Sequence, residues 1–112
     1  MELKDNKLFF EHHELASSLR TEGVRQIIFD GNGEIVDEFH SQKKSLIVEL
    51  PDNAQYLLRR YWTNSSYPEH ELFSIPSLKK IAGFHRETTP SEIEGLSIPD
   101  GIKNFLHEDL FG

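Results

Sequence analysis

Val24-Arg25-Gln26-Ile27-Ile28-Phe29-Asp30-Gly31-Asn32-Gly33-Glu34-Ile35-Val36-Asp37-Glu38-Phe39 is the stretch that decides the fold. Its first six residues are a run rich in β-branched and aromatic side chains, which suit a pleated, half-buried surface. Asp30-Gly31-Asn32-Gly33 then supplies residues that tolerate the positive φ angles of tight hairpins. Beyond the turn, Ile35 and Phe39 fall on one face and Val36 and Glu38 on the other, the period-2 pattern of a strand. The stretch therefore predicts a β-hairpin.

Working outward, Ser45-Leu46-Ile47-Val48-Glu49-Leu50 sets Leu46, Val48 and Leu50 on one face, and Pro51-Asp52-Asn53 reads as a turn with Pro51 at its second position. Gln55 to Trp62 carries apolar residues on both faces, which predicts a central strand covered on both sides for part of its length. Together these segments imply a second hairpin and a sheet core over residues 24–62. On the N-terminal side, Leu8, Phe9, His12, Leu15, Ala16 and Leu19 share a helical stripe. The stripe predicts a helix from Asp5 to Leu19, capped by Asp5 or Asn6 and stopped by Gly23. A strand over Lys7 to Glu11 is the competing reading of the same residues.

Beyond the sheet core, Thr63 to Glu71 reads as a polar loop and Leu72 to Ile75 as a short edge strand, which could pair across a dimer. Pro76 to Gly83 reads as a short helix. Thr89 and Glu92 have the spacing of a capping box with Pro90 at the first helical position, and Gly95 stops that helix within two turns. In the last segment Ile102, Phe105, Leu106 and Leu110 share a helical face. The expected fold is α+β: an antiparallel sheet of four to five strands, made of two consecutive hairpins, flanked by an N-terminal helix and C-terminal helices. A small β-sandwich with a helical tail is the alternative.

With 112 residues the chain is expected to be a single domain, 1–112, with one core. A hydrophobic content of 37% beside 28% charged residues belongs to an ordinary globular protein. The absence of cysteine excludes a disulfide framework, a thiolate nucleophile and a thiolate zinc site. Met1-Glu2-Leu3-Lys4-Asp5 has neither the basic start nor the apolar centre of a signal peptide, and no apolar run reaches about 18 residues. A cytoplasmic protein with no membrane association is the expectation. The net charge of −7 is concentrated in residues 87–112, where six acidic side chains face the single Lys103. That acidic, partly helical segment disfavours nucleic acid and favours a basic protein partner.

The chemistry-bearing residues do not assemble into a catalytic pattern in the sequence, so no catalytic residue and no cofactor are assigned. Glu11-His12-His13-Glu14 invites a metal, but adjacent histidines on a helix point about 100° apart and cannot share one ion. Glu69-His70-Glu71 adds possible donors without an ordered ligand spacing, and no metal site is assigned. Asp30-Gly31-Asn32-Gly33 joins two strands and lacks the lysine of a phosphate loop. Arg59-Arg60-Tyr61-Trp62, with Tyr67 nearby, forms an aromatic loop region whose two arginines alternate to opposite faces. The candidate partner-binding residues are Ile98, Ile102, Phe105, Leu106, Glu108 and Asp109, an apolar helical stripe with an acidic rim. The same stripe would serve equally to cover the open face of the sheet.

The run from Val24 through Leu50-Pro51 to Tyr56-Leu57-Leu58-Arg59 resembles consecutive strands of immunoglobulin-like modules, without their cysteine pair. The resemblance implies a sandwich that binds carbohydrate or peptide. From the residues themselves, the expected function is a non-enzymatic protein-interaction module of the inhibitor, immunity or adaptor type, monomeric or homodimeric. A small hydrolase or metal-dependent enzyme using histidines and carboxylates is the alternative.

Overall fold

The structure, a computed structural model, describes residues 2–11, 24–41, 45–62, 68–75, 77–85 and 87–112. Its strands are β1 (Glu2–Lys4), β2 (Lys7–Glu11), β3 (Val24–Phe29), β4 (Ile35–Ser41), β5 (Ser45–Glu49), β6 (Tyr56–Trp62), β7 (Pro68–Ser74) and β8 (Lys80–Phe84). Two helices follow, α1 (Pro90–Glu94) and α2 (Asp100–Phe111). The strands form two antiparallel sheets, one of order β1-β2-β5 and one of order β4-β3-β6-β7-β8.

The β3–β4 hairpin forms as its sequence dictates. Asp30 Oδ1 accepts from the backbone N–H groups of Asn32 and Glu34 at 2.8 and 3.0 Å, and Gly33 takes the left-handed conformation at φ 84°. Gly33 also touches the start of α2: a Cβ there would lie 2.8 Å from Cβ of Pro99, and one on Gly101 would lie 2.8 Å from the Gly33 carbonyl carbon. Two facing glycines thus let the helix seat directly on the hairpin loop.

The expected second hairpin is overturned. β5 pairs with β2, and β6 pairs with β3. The chain changes sheets between Leu50 and Gln55, where Ala54 N–H donates to Pro51 O at 3.1 Å, so Pro51 takes the first position of the turn rather than the second. Leu50 N–H is taken by Asn6 O and Gln55 N–H by Phe29 O, both at 2.9 Å. Each end of the crossing is therefore tied to a different sheet. A turn signal between two alternating runs fixes a reversal of direction and leaves open which strand each run pairs with.

The helix expected over Asp5–Leu19 is likewise not formed where the structure describes it. Asp5 and Asn6 are a two-residue turn with φ of 53° and 63°, the double positive φ of a type I′ hairpin, and they join β1 to β2. Leu8 is fully buried, Phe9 is half-buried on the opposite face, and the strand reading of Lys7–Glu11 holds. Residues 12–19 of that expected helix lie outside the described residues. The short helix expected over 76–83 is replaced by a turn at Leu78, φ 57°, and by β8. Leu72–Ile75 is not an edge: β7 starts at Pro68 and lies between β6 and β8.

Three further expectations hold. β6 is a central strand covered on both sides, with Leu57 and Leu58 both fully buried. Thr89 and Glu92 close the capping box, each side chain engaging the other's backbone N–H, with Pro90 at the first helical position. The last helix forms over Asp100–Phe111 and buries Ile102 and Leu106.

The single core expected from chain length is instead two, one on each side of the five-stranded sheet. Leu8, Ile28, Val48, Leu50, Leu57 and Phe73 fill the space between the two sheets. Ile27, Phe29, Leu58, Leu72, Ile93 and Ile102 fill the space between the five-stranded sheet and the helices. The fold is thus α+β in three layers, and adjacent residues of β3, β6 and β7 serve opposite cores. Among the described residues no helix is long and apolar enough to cross a membrane.

Candidate functional site

The helix-facing side of the five-stranded sheet carries a row of basic residues that the sequence does not display as a group. Strand register sets His40 of β4 opposite Arg25 of β3, Arg25 opposite Arg60 of β6, and Arg60 opposite His70 of β7. Arg25 and Arg60, directly opposite each other, are like charges that repel, so this pair requires counter-charge. It comes from two directions. Glu38 of β4 accepts from Arg25 Nε at 2.6 Å, and Asp109, in the last turn of α2, accepts from His70 Nε2 at 2.6 Å. Asp109 Oδ2 also lies 3.4 Å from Arg60 Nε.

The hydrogen bond from His70, with the charges of Arg60, His70 and Arg25, holds the Asp109 carboxyl below its ordinary range despite the opposing effect of burial. An acidic residue at a helix C-terminus opposes the macrodipole. Here the basic row beneath it supplies the compensation and fixes the end of α2 on the sheet. Phe105, one turn earlier, meets Phe29 edge to face at 5.8 Å between centroids, and the Arg25 guanidinium lies 5.9 Å from the Phe105 ring centroid. Arg25, Phe105, Glu108 and Asp109 line an open cleft of about 230 Å³.

Of the candidate partner-binding residues, Ile98, Ile102 and Leu106 are buried in the helix-side core. They cover the sheet, the second role their stripe offered. Phe105 and Asp109 are half-buried at the cleft and Glu108 is exposed. Of the aromatic group, Tyr61 is a buried residue of β6 rather than of a loop, Trp62 ends that strand, and Tyr67 lies outside the described residues. Glu69-His70-Glu71 is strand, not loop, so its glutamates face one side and His70 the other.

Where β6, β7 and β8 meet, Tyr61, Glu69, His70, Glu71, Lys80 and His85 line a second cleft of about 190 Å³. Burial, together with the charges and hydrogen bonds of Glu71 and Glu69, pushes the Tyr61 phenol above its ordinary range. His12 and His13 lie outside the described residues. Among the described residues, no cluster of three or more histidine and carboxylate side chains is arranged to hold a metal. Nor does any serine or threonine hydroxyl hydrogen-bond to His70 or His107 there.

Apart from Asp109, the carboxylates of residues 87–112 face outward. Glu87, Glu92, Glu94, Asp100 and Glu108 are all exposed. Lys103 donates from Nζ to the backbone oxygen of Glu94 at 2.9 Å, and His107 Nε2 sits 2.6 Å from Glu94 Oε1. Phe111 is 46% exposed at the end of the same layer. The basic row was missed in the sequence because its members are spread over four strands. The acidic segment was visible because it is contiguous.

No known protein family, curated protein or solved structure matches the chain. The likeness to immunoglobulin-like modules is confined to the succession of strands, since a two-sheet sandwich of that kind has no helical layer over its second sheet.

Proposed function

We propose that the chain is a non-enzymatic protein-binding module of the inhibitor, immunity or adaptor type, acting in the cytoplasm and presenting the outer surface of its helical layer to a basic partner. The observation that carries this reading is the set of exposed carboxylates Glu87, Glu92, Glu94, Asp100 and Glu108 on one layer, opposed by Lys103 alone among lysines and arginines of residues 87–112. Such a surface steers a positively charged partner and discriminates against a negatively charged one. Phe111 and the ring of Phe105 at the cleft add apolar contact beside the charges, as interfaces with a charged rim require.

The test begins with capture of partners from the cells of origin and continues with purified partner and intact chain. Binding should weaken as salt rises and should weaken further when Glu87, Glu94 and Glu108 are changed together to glutamine. The fold of that variant should be unchanged, because all three side chains are exposed. Binding that ignores both salt and these substitutions, or the recovery of no specific partner, overturns the reading.

A further inference from the structure

The two sheets have four outer edges, β1 and β5 in one and β4 and β8 in the other. Exposed edges invite further strands, and proteins blunt them with charge, bulges or brevity. Three of the four are blunted. β1 is three residues long. β4 carries Asp37 and Glu38 at its middle, with a register shift against β3 at Ile28/Phe29. β8 opens on Lys80, contains Gly83, and shifts register against β7 at Leu72/Phe73.

β5 has none of these devices. Ser45-Leu46-Ile47-Val48-Glu49 runs against β2 in unbroken register from Lys7↔Glu49 to Glu11↔Ser45, and its only charge is the terminal Glu49. No hydrogen bond ties its other edge among the described residues. Ile47, at its centre, is 63% exposed, more than any other large hydrophobic residue described.

We propose that β5 is a dimerisation edge, and that its occupant is β5 of a second copy, paired antiparallel about a two-fold axis through Ile47. Self-pairing is favoured over addition of an unrelated strand by the placement of charge. The two-fold sets Ile47 against Ile47 of the second copy, Leu46 against Val48, and Ser45 against Glu49, so no like charges meet. The same operation on β4, centred on Glu38, would set glutamate against glutamate. Phe9 is the register partner of Ile47 on β2. The dimer thus forms a continuous outer row of Phe9, Ile47, Ile47 and Phe9, joining aromatic to β-branched side chains across strands. One six-stranded sheet results, with closed two-fold symmetry. Its axis is normal to the sheet, so both helical layers lie on the same side.

The test uses the absence of cysteine from the chain. Ile47→Cys should form a disulfide-linked dimer under mild oxidation, because opposite residues in an antiparallel pair have Cα atoms about 4.5–5.5 Å apart, within disulfide reach. Glu49→Cys should not, because the two-fold separates its copies by four strand positions, about 13 Å. Sedimentation equilibrium of the intact chain should show a monomer–dimer equilibrium that shifts toward dimer as salt screens the −7 charge on each copy. Ile47→Lys, folded by circular dichroism, should be monomeric at the same concentrations. The proposal is overturned if the intact chain stays monomeric into the millimolar range. It is equally overturned if Ile47→Lys dimerises unchanged or if Glu49→Cys cross-links as readily as Ile47→Cys.

Discussion

Arg59 and Arg60 are neighbours in β6, yet they point to opposite sides of the five-stranded sheet into surroundings that differ in kind. On the helical side, Arg60 and His70 share the carboxylate of Asp109, and Arg25 has Glu38. On the side of the second sheet, Arg59 Nε is buried without a hydrogen-bond acceptor among the described residues, and its register partner Gln26 is fully buried with both side-chain amide atoms unpaired among them. The Arg59 guanidinium instead lies over the Tyr61 ring at 5.7 Å. The helical side draws a counter-charge from the end of the chain, and only His70 Nδ1 of its histidine–carboxylate pair is buried without a partner among the described residues. The other leaves part of the cost of burial uncompensated.

If both sides rest mainly on apolar packing, the largest effects come from the cores. Leu106→Ala should destabilise by about 2–5 kcal/mol in urea unfolding, the cost of removing a fully buried leucine. Leu57→Ala, in the other core, should fall in the same range. A Leu106→Ala variant of unchanged stability would mean that α2 is not seated on the sheet. Gly101→Ala tests the seat itself. Its new methyl would meet the Gly33 backbone with no flexible side chain to yield, for a loss of about 1–3 kcal/mol. A smaller loss would show that the helix start and the hairpin loop can move apart.

Asp109→Asn tests the balanced side directly. It removes the charge that serves His70 and Arg60 while keeping the shape, and the expected loss is about 1–2 kcal/mol at neutral pH. The Asp109 pKa is lowered by folding, so its contribution is complete above the ordinary value of 3.8 and is lost as pH falls from there through the folded value. The difference in stability between the intact chain and Asp109→Asn should therefore shrink in that acid range. A difference that is constant with pH would remove Asp109 as the counter-charge of the basic row.

The two sides also differ in how much of them was legible. The β3–β4 hairpin, the burial of both faces of β6, the capping box at Thr89 and the last helix are all encoded by residues close in sequence, and each was readable. What failed was pairing. Leu8-Phe9-Phe10 fits a helical stripe and a strand equally well, and the I′ conformation of Asp5-Asn6 that decides between them is one of several those residues accept. The departure of β5 to the other sheet depends on contacts with Asn6 more than forty residues away. The basic row depends on three strand registers at once, none of which is written in a local motif. His70 looked like a loop ligand because the polar residues around it suggest a loop, whereas alternation in β7 buries it.

The smallest effect expected is also the one that separates the two sides most cleanly, because it has the opposite sign. Gln26 contributes an amide donor and an amide acceptor to the interior, and neither is paired among the described residues. Its backbone is held between β4 and β6, so the side chain cannot leave without breaking a central strand. Replacing it with methionine keeps an unbranched chain of similar length and removes both unpaired atoms. Where a buried polar group has no partner, loss of its desolvation penalty outweighs anything the group contributed, so Gln26→Met should stabilise by about 1 kcal/mol. The matching change on the helical side, His70→Met, should destabilise, because it strands the Asp109 carboxylate that His70 now serves. A stabilised Gln26→Met beside a destabilised His70→Met would establish the asymmetry of the sheet. A destabilised Gln26→Met would show instead that its amide is paired in solution, and the two sides would then be balanced alike.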